Sequence, residues 1–297
     1  MAQLVFVHGR GQENKQALSL KKEWLKALDA GLKKSNLTLP ISEKDVRFPW
    51  YGRTLIDLAS GVDPEKAAEI IIRGAEDDAR ERAFMVSVLS QVQKKAGITD
   101  EQIAQMADGD EPIERGILNN RAVLGLLRGI DRFVPGGSGA AIGLATKDVY
   151  SYISDPVVRS KINKGVREAM KPGIPTVVVA HSLGTVVAYS LIKEEAEANG
   201  WDIPLLVTVG SPLSVTAIKK AVAPNEHPKR VGKWLNALDP SDTVALFPLD
   251  KQNFPIEPLV ENILDVENST ETHHGISGYL DHKVVAKRIH DALVAAG

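Results

Sequence analysis

Cysteine is absent from the 297-residue chain, which rules out disulfides, thiolate metal sites and a cysteine nucleophile. The lack of disulfides fits a reducing compartment, and a cytoplasmic location is the expectation. An excess of one charge is also lacking: 36 Lys and Arg stand against 38 Asp and Glu, for a formal charge of −2. That balance supplies no electrostatic reason to bind nucleic acid or an anionic membrane. No apolar run approaches the ~20 residues needed to span a bilayer, and the first residues enter an apolar run without a basic leader. Neither a transmembrane nor a targeting segment is therefore expected. No Gly-x-Gly-x-x-Gly turn follows the first strand and no Gly-Lys-Ser/Thr loop exists, which sets aside dinucleotide and phosphate-loop chemistry. Metal-ligand spacing is missing as well, because His273-His274 is a lone adjacent pair. No metal and no cofactor are expected.

What is present is the composition of a globular protein, 43% hydrophobic and 25% charged, with ample material for a buried core. Residues 4–7 are apolar on both faces and read as a buried parallel strand ending at His8-Gly9. Leu18, Leu20, Trp24, Leu25, Leu28 and Leu32 then recur at helical spacing, and a second short strand is expected at 45–48. From 53 to 171 the composition turns helical, with helices expected over 64–95, 100–106 and 113–133 and another running to about 170. That length is too great for a crossover, so 53–171 reads as a helical insertion or lid plus one scaffold helix. Gly-Gly-Ser-Gly at 136–139 fits either a hinge or tight helix packing. The strand-helix rhythm resumes with strands at 176–180, 205–209, 233–238 and 261–266, and the chain closes on an amphipathic helix at 282–295. These alternations predict one α/β domain over 1–297, with a doubly wound, mostly parallel sheet flanked by helices and carrying a large helical insertion.

The strongest local signal is Val-Val-Val-Ala180-His181-Ser182-Leu183-Gly184-Thr185. An apolar strand entering small-x-Ser-x-Gly and then a helix is the context of a nucleophile elbow. The turn is sharp, so Ala180 and Gly184 must be small. The alternative is a serine that merely caps a helix. A serine nucleophile needs a base, and of the seven histidines only His273 and His274 lie in a late loop after the last expected strand. His274 is favoured because Gly-Ile276-Ser-Gly-Tyr279-Leu follows it and anchors the loop; His273 is the alternate. The acid is sought after the strand at 233–238, where Asp242 is preferred to Asp239 and the other is expected to cap the Asp-Pro turn.

Val-Phe-Val-His8-Gly9, Ala-His-Ser-Leu-Gly-Thr-Val-Val-Ala-Tyr, Asn-Ala-Leu-Asp-Pro-Ser-Asp-Thr-Val-Ala and His-Gly-Ile-Ser-Gly-Tyr-Leu, in this order, resemble the α/β-hydrolase superfamily. Within it the chain is similar to the lipase/esterase-like branch that includes inositol-deacylase-like serine esterases. The likeness covers 1–52 and about 172–297 and leaves most of the insertion unexplained. It implies an α/β-hydrolase fold and cofactor-free cleavage of a small-molecule or lipid ester through Ser182, His274 and Asp242. The oxyanion donors it implies are the N–H groups of Arg10 and Leu183, with Gly9 allowing close approach and His8 a structural bond-maker. The same triad would serve a thioesterase, acyltransferase or peptidase. A non-catalytic binding or regulatory protein on the same scaffold is the reading of another class. Phe84, Met85, Val88, Leu89 and Val92 fit either a substrate channel or plain core.

Overall fold

The computed structural model describes residues 2–9, 17–51, 79–107, 120–134 and 137–297. Strands β1 (Gln3–Val7), β2 (Val46–Arg47), β3 (Pro175–His181), β4 (Asp202–Val209), β5 (Val231–Ala237) and β6 (Glu261–Ile263) form one parallel sheet in the order β2-β1-β3-β4-β5-β6. The helices of the described residues are, in chain order, α1 (Ala17–Lys33), α2 (Ala79–Lys95), α3 (Asp100–Met106), α4 (Asn120–Phe133), α5 (Gly139–Ser154), α6 (Pro156–Ala169), α7 (Leu183–Glu195), α8 (Thr216–Ala221), α9 (Ile276–Leu280) and α10 (Lys283–Ala296).

The central strands carry continuous apolar stretches because both faces of the sheet are covered. Leu4, Phe6, Val177, Val179 and Val207 pack against α1, α9 and α10, whereas Val5, Val7, Val178, Ala180 and Leu206 face the layer that contains α2 and α4–α8. The chain is thus an α/β protein with helices on both sides of a parallel sheet. From β1 the chain turns to one side to make β2 and later to the other to make β3. The carboxyl ends of β1 and β3 flank that reversal, which is where open parallel sheets form their crevice.

The helical segment differs in detail from the sequence expectation. The helix expected to run to about 170 is two, α5 and α6, because Asp155 accepts from the Val157 and Val158 N–H groups as an N-cap and Pro156 takes the first helical position. Gly139 is a packing residue: a Cβ there would lie 2.2 Å from the Leu127 carbonyl oxygen. Expected helical residues 64–78 and 113–119, together with Gly136 of the possible hinge, lie outside the described residues. Helix α9 was not expected, since five residues are too few to show a period. Among the described residues, no helix is long and apolar enough to cross a membrane.

Candidate active site

Ser182 stands between the last residue of β3 and the first of α7, with φ 56° and ψ −130°. That region costs an L-residue of order 1–3 kcal/mol and persists only where the surroundings impose it. Here they do so by close approach. A Cβ on Gly184 would meet the Val7 carbonyl oxygen at 2.2 Å, and one on Gly9 would meet the Ser182 Cβ at 2.6 Å. Any side chain at either position would push the β1 end and the turn apart. The Ser182 N–H donates to the Val209 carbonyl (3.2 Å), and the Thr185 hydroxyl closes the turn on the Ser182 carbonyl (2.7 Å). Thr185 also meets the Ser211 hydroxyl at 2.9 Å, which ties the turn to the end of β4.

The loop before α9 brings His274 back across the sheet edge. Its Nε2 lies 2.9 Å from Ser182 Oγ and its Nδ1 2.7 Å from Asp242 Oδ2. An ionised carboxylate only accepts, so Nδ1 carries the proton and Nε2 is left to accept from the serine hydroxyl. Asp242 is buried and fully bonded: Oδ1 accepts from the Val244 (2.7 Å) and Ala245 (3.1 Å) N–H groups, Oδ2 from His274 and the Tyr279 hydroxyl (2.6 Å). Burial alone would raise its pKa, but His274, Tyr279 and the Val244 N–H outweigh that and hold it below the ordinary value. Burial, then the charges of Asp242 and Asp239, push Tyr279 well above the ordinary tyrosine range, so it stays a donor. A serine, an imidazole and a buried carboxylate in this order can move the hydroxyl proton to Nε2 as Oγ attacks an electrophile.

The two alternates are not part of this chain of bonds. Asp239 accepts from the Ser241 N–H (2.6 Å), the turn cap expected of whichever aspartate was not the acid, and from the Asn268 N–H (2.7 Å). His273 donates from Nδ1 to the Asn268 carbonyl (3.0 Å). Both therefore brace Asn268, whose amide reaches the Gly275 carbonyl (2.8 Å) and shapes the loop that carries His274. Asn268 went unnoticed in the sequence, where an Asn in a polar loop carries no signal of its own.

His181, the chain neighbour of Ser182, makes no bond to the Ser182 hydroxyl among the described residues. The structure turns it to the other side: its Nε2–H donates to the His274 backbone carbonyl at 2.7 Å, and the two rings lie 4.7 Å apart. It is a positioning residue for the His274 loop. Being in a strand buried on both faces was the signal that its imidazole needed an internal partner. His8 is structural: Nε2 accepts from the Tyr51 N–H (3.2 Å), which leaves Nδ1–H to donate to the Gly9 carbonyl (2.8 Å). Its ring stacks on Tyr51 with centroids 4.0 Å apart, and the Tyr51 hydroxyl bonds the His8 carbonyl. Leu183 opens α7, whose first N–H groups have no partner within the helix. Arg10 lies outside the described residues. Of the possible channel residues, Val88 and Val92 line a cavity at Ser182, while Met85 and Leu89 are core. Among the described residues, no cluster of three or more His, Asp or Glu is placed to hold a metal ion.

The site's buried imidazoles make stability pH-dependent. Burial lowers His8 from 6.5 to about 4, and burial with the adjacent His274 lowers His181 from 6.5 to about 3. The unfolded chain takes up these protons as pH falls through 6.5, whereas the folded chain does not until about 4 and 3. Stability is thus complete above the unfolded value and lost below it, at about 1.4 kcal/mol per pH unit for each histidine. Urea unfolding at pH 7 and pH 5 should show a loss of about 3–4 kcal/mol. Unchanged stability at pH 5 would mean that neither ring is sealed from solvent.

The comparisons return nothing. No protein-family model, curated protein or solved structure matches the chain.

Proposed function

We propose that the chain is a serine hydrolase with an α/β-hydrolase fold that cleaves carboxylic esters through an acyl-enzyme. The observation that carries this reading is the unbroken bonding from Ser182 Oγ (2.9 Å) through His274 to Asp242 (2.7 Å), set on a strained turn that offers the hydroxyl at the sheet's crevice. His274 takes the proton as Oγ bonds the acyl carbon, and Asp242 stabilises the imidazolium. The oxyanion is held by the Leu183 N–H at the start of α7; a second donor at Arg10, outside the described residues, is what the family resemblance implies. The ester C–O bond breaks as His274 returns the proton to the leaving oxygen. Water, activated by the same imidazole, then releases the acid and restores Ser182. A cytoplasmic setting agrees with a chain that contains no cysteine.

A fluorophosphonate probe tests the reading directly. The expected result is one covalent adduct, located by peptide mass analysis on Ser182, together with turnover of p-nitrophenyl acetate. A folded protein that neither labels nor hydrolyses any of a panel of esters would overturn the reading and favour a binding protein on this scaffold.

A further inference from the structure

Two cavities meet at Ser182, and they touch different parts of the machinery. The inner one is about 20 Å³ and is lined by Val88 and Val92 of α2, Val149 of α5, Ile218 of α8 and Leu246, with Leu183 beside Ser182. The outer one is about 260 Å³ and is lined by Ser138, Ala141, Thr243 and Thr272, with His274 beside Ser182. His274 is not among the residues of the inner cavity, nor Leu183 among those of the outer. Ile142, Ala145, Thr243 and Val244 line both, so the two lie side by side at Ser182.

The chemistry assigns a side to each cavity. The proton must pass from His274 to the departing oxygen, so the alcohol has to lie on the His274 side. The carbonyl oxygen has to reach the Leu183 N–H, which turns the acyl tail to the Leu183 side. We infer that the inner slot takes the acyl tail and the outer pocket the alcohol, so that the substrate is an acetyl or other short-chain ester of a larger alcohol. This rests on the serine-hydrolase reading above.

Volume sets the chain length. A space of about 20 Å³ is little more than the ~10–15 Å³ that one water needs. A methyl group is close to that size, and a longer chain has to displace buried lining side chains such as Val149 and Ile218. The outer pocket, about 260 Å³, approaches the size of small-molecule sites. In the reaction the Oγ–C bond forms as the C–O bond to the alcohol breaks. The alcohol leaves protonated through the outer pocket, and water converts the acetyl-enzyme to acetate.

The test is kcat/KM for p-nitrophenyl acetate, propionate, butyrate, hexanoate and octanoate, with the wild type beside V149A and I218A, each checked for folding by circular dichroism. For the wild type, a fall of about tenfold or more from acetate to hexanoate is expected. In at least one of the two enlarged slots, the hexanoate-to-acetate ratio should rise by about tenfold. Octanoate equal to or better than acetate, or ratios unmoved in both folded variants, would overturn the slot assignment while labelling of Ser182 kept the hydrolase reading intact. Absence of labelling in the wild type would remove both.

Discussion

Ser182→Ala is expected to lower kcat for ester hydrolysis by about 10⁵–10⁶-fold and to abolish fluorophosphonate labelling. The alanine leaves His274 with its bond to Asp242 but with nothing to deprotonate. A companion variant separates the chemistry from the backbone. Alanine keeps a Cβ at φ 56°, and glycine does not. Ser182→Gly should therefore be equally inactive yet more stable than Ser182→Ala by about 1 kcal/mol, the strain relieved less the extra freedom of an unfolded glycine. Thermal unfolding of the two variants reads the difference. Full activity in either would remove Ser182 as the nucleophile. Equal stability would mean that the turn imposes no strain on its central residue.

Asp242→Asn comes second, with an expected loss of about 10³–10⁴-fold in kcat and a folded protein. Every acceptor site of Asp242 faces a donor: the Val244 and Ala245 N–H groups at Oδ1, His274 Nδ1–H and the Tyr279 hydroxyl at Oδ2. The backbone donors hold the oxygen of the new amide, so its NH₂ is turned to His274. The imidazole answers by moving its proton to Nε2, where it opposes the serine hydroxyl and accepts nothing. Asp239→Asn is the control. Its carboxylate accepts from the Ser241 and Asn268 N–H groups and lies 3.6 Å from His273 Nδ1, and it makes no bond to His274. A loss well under that of Asp242→Asn is expected, and parallel pH–rate profiles of the three proteins check it. An Asp242→Asn enzyme within a few-fold of the wild type would return the choice of acid to Asp239.

Much of the frame was legible because the residues concerned answer to local rules. A strand buried on both faces needs an unbroken apolar stretch, so β1, β3 and β4 announced themselves through 4–7, 177–180 and 205–207. Ser182 was legible because a turn that approaches β1 to the limit of contact tolerates only Gly at 9 and 184. The break at Asp155-Pro156 was written in the sequence too, as a cap followed by a first-turn proline, and was missed because apolar spacing continues through it.

Composition and local pattern thus determined by themselves the α/β class, the order of most strands and helices, the sharp strand-to-helix turn at Ser182 and the short lists of candidate acids and bases. The tertiary structure decided which aspartate and which histidine meet Ser182. Asp242 and Ser182 lie 32 and 92 residues from His274 along the chain. Selection among neighbours such as His273 and His274 turns on a few ångströms of loop path, held by Asn268, His181 and Tyr279. It decided, too, that the space beside Leu183 is narrow and that beside His274 wide, since a cavity is the gap left between elements distant in sequence and no single segment encodes it.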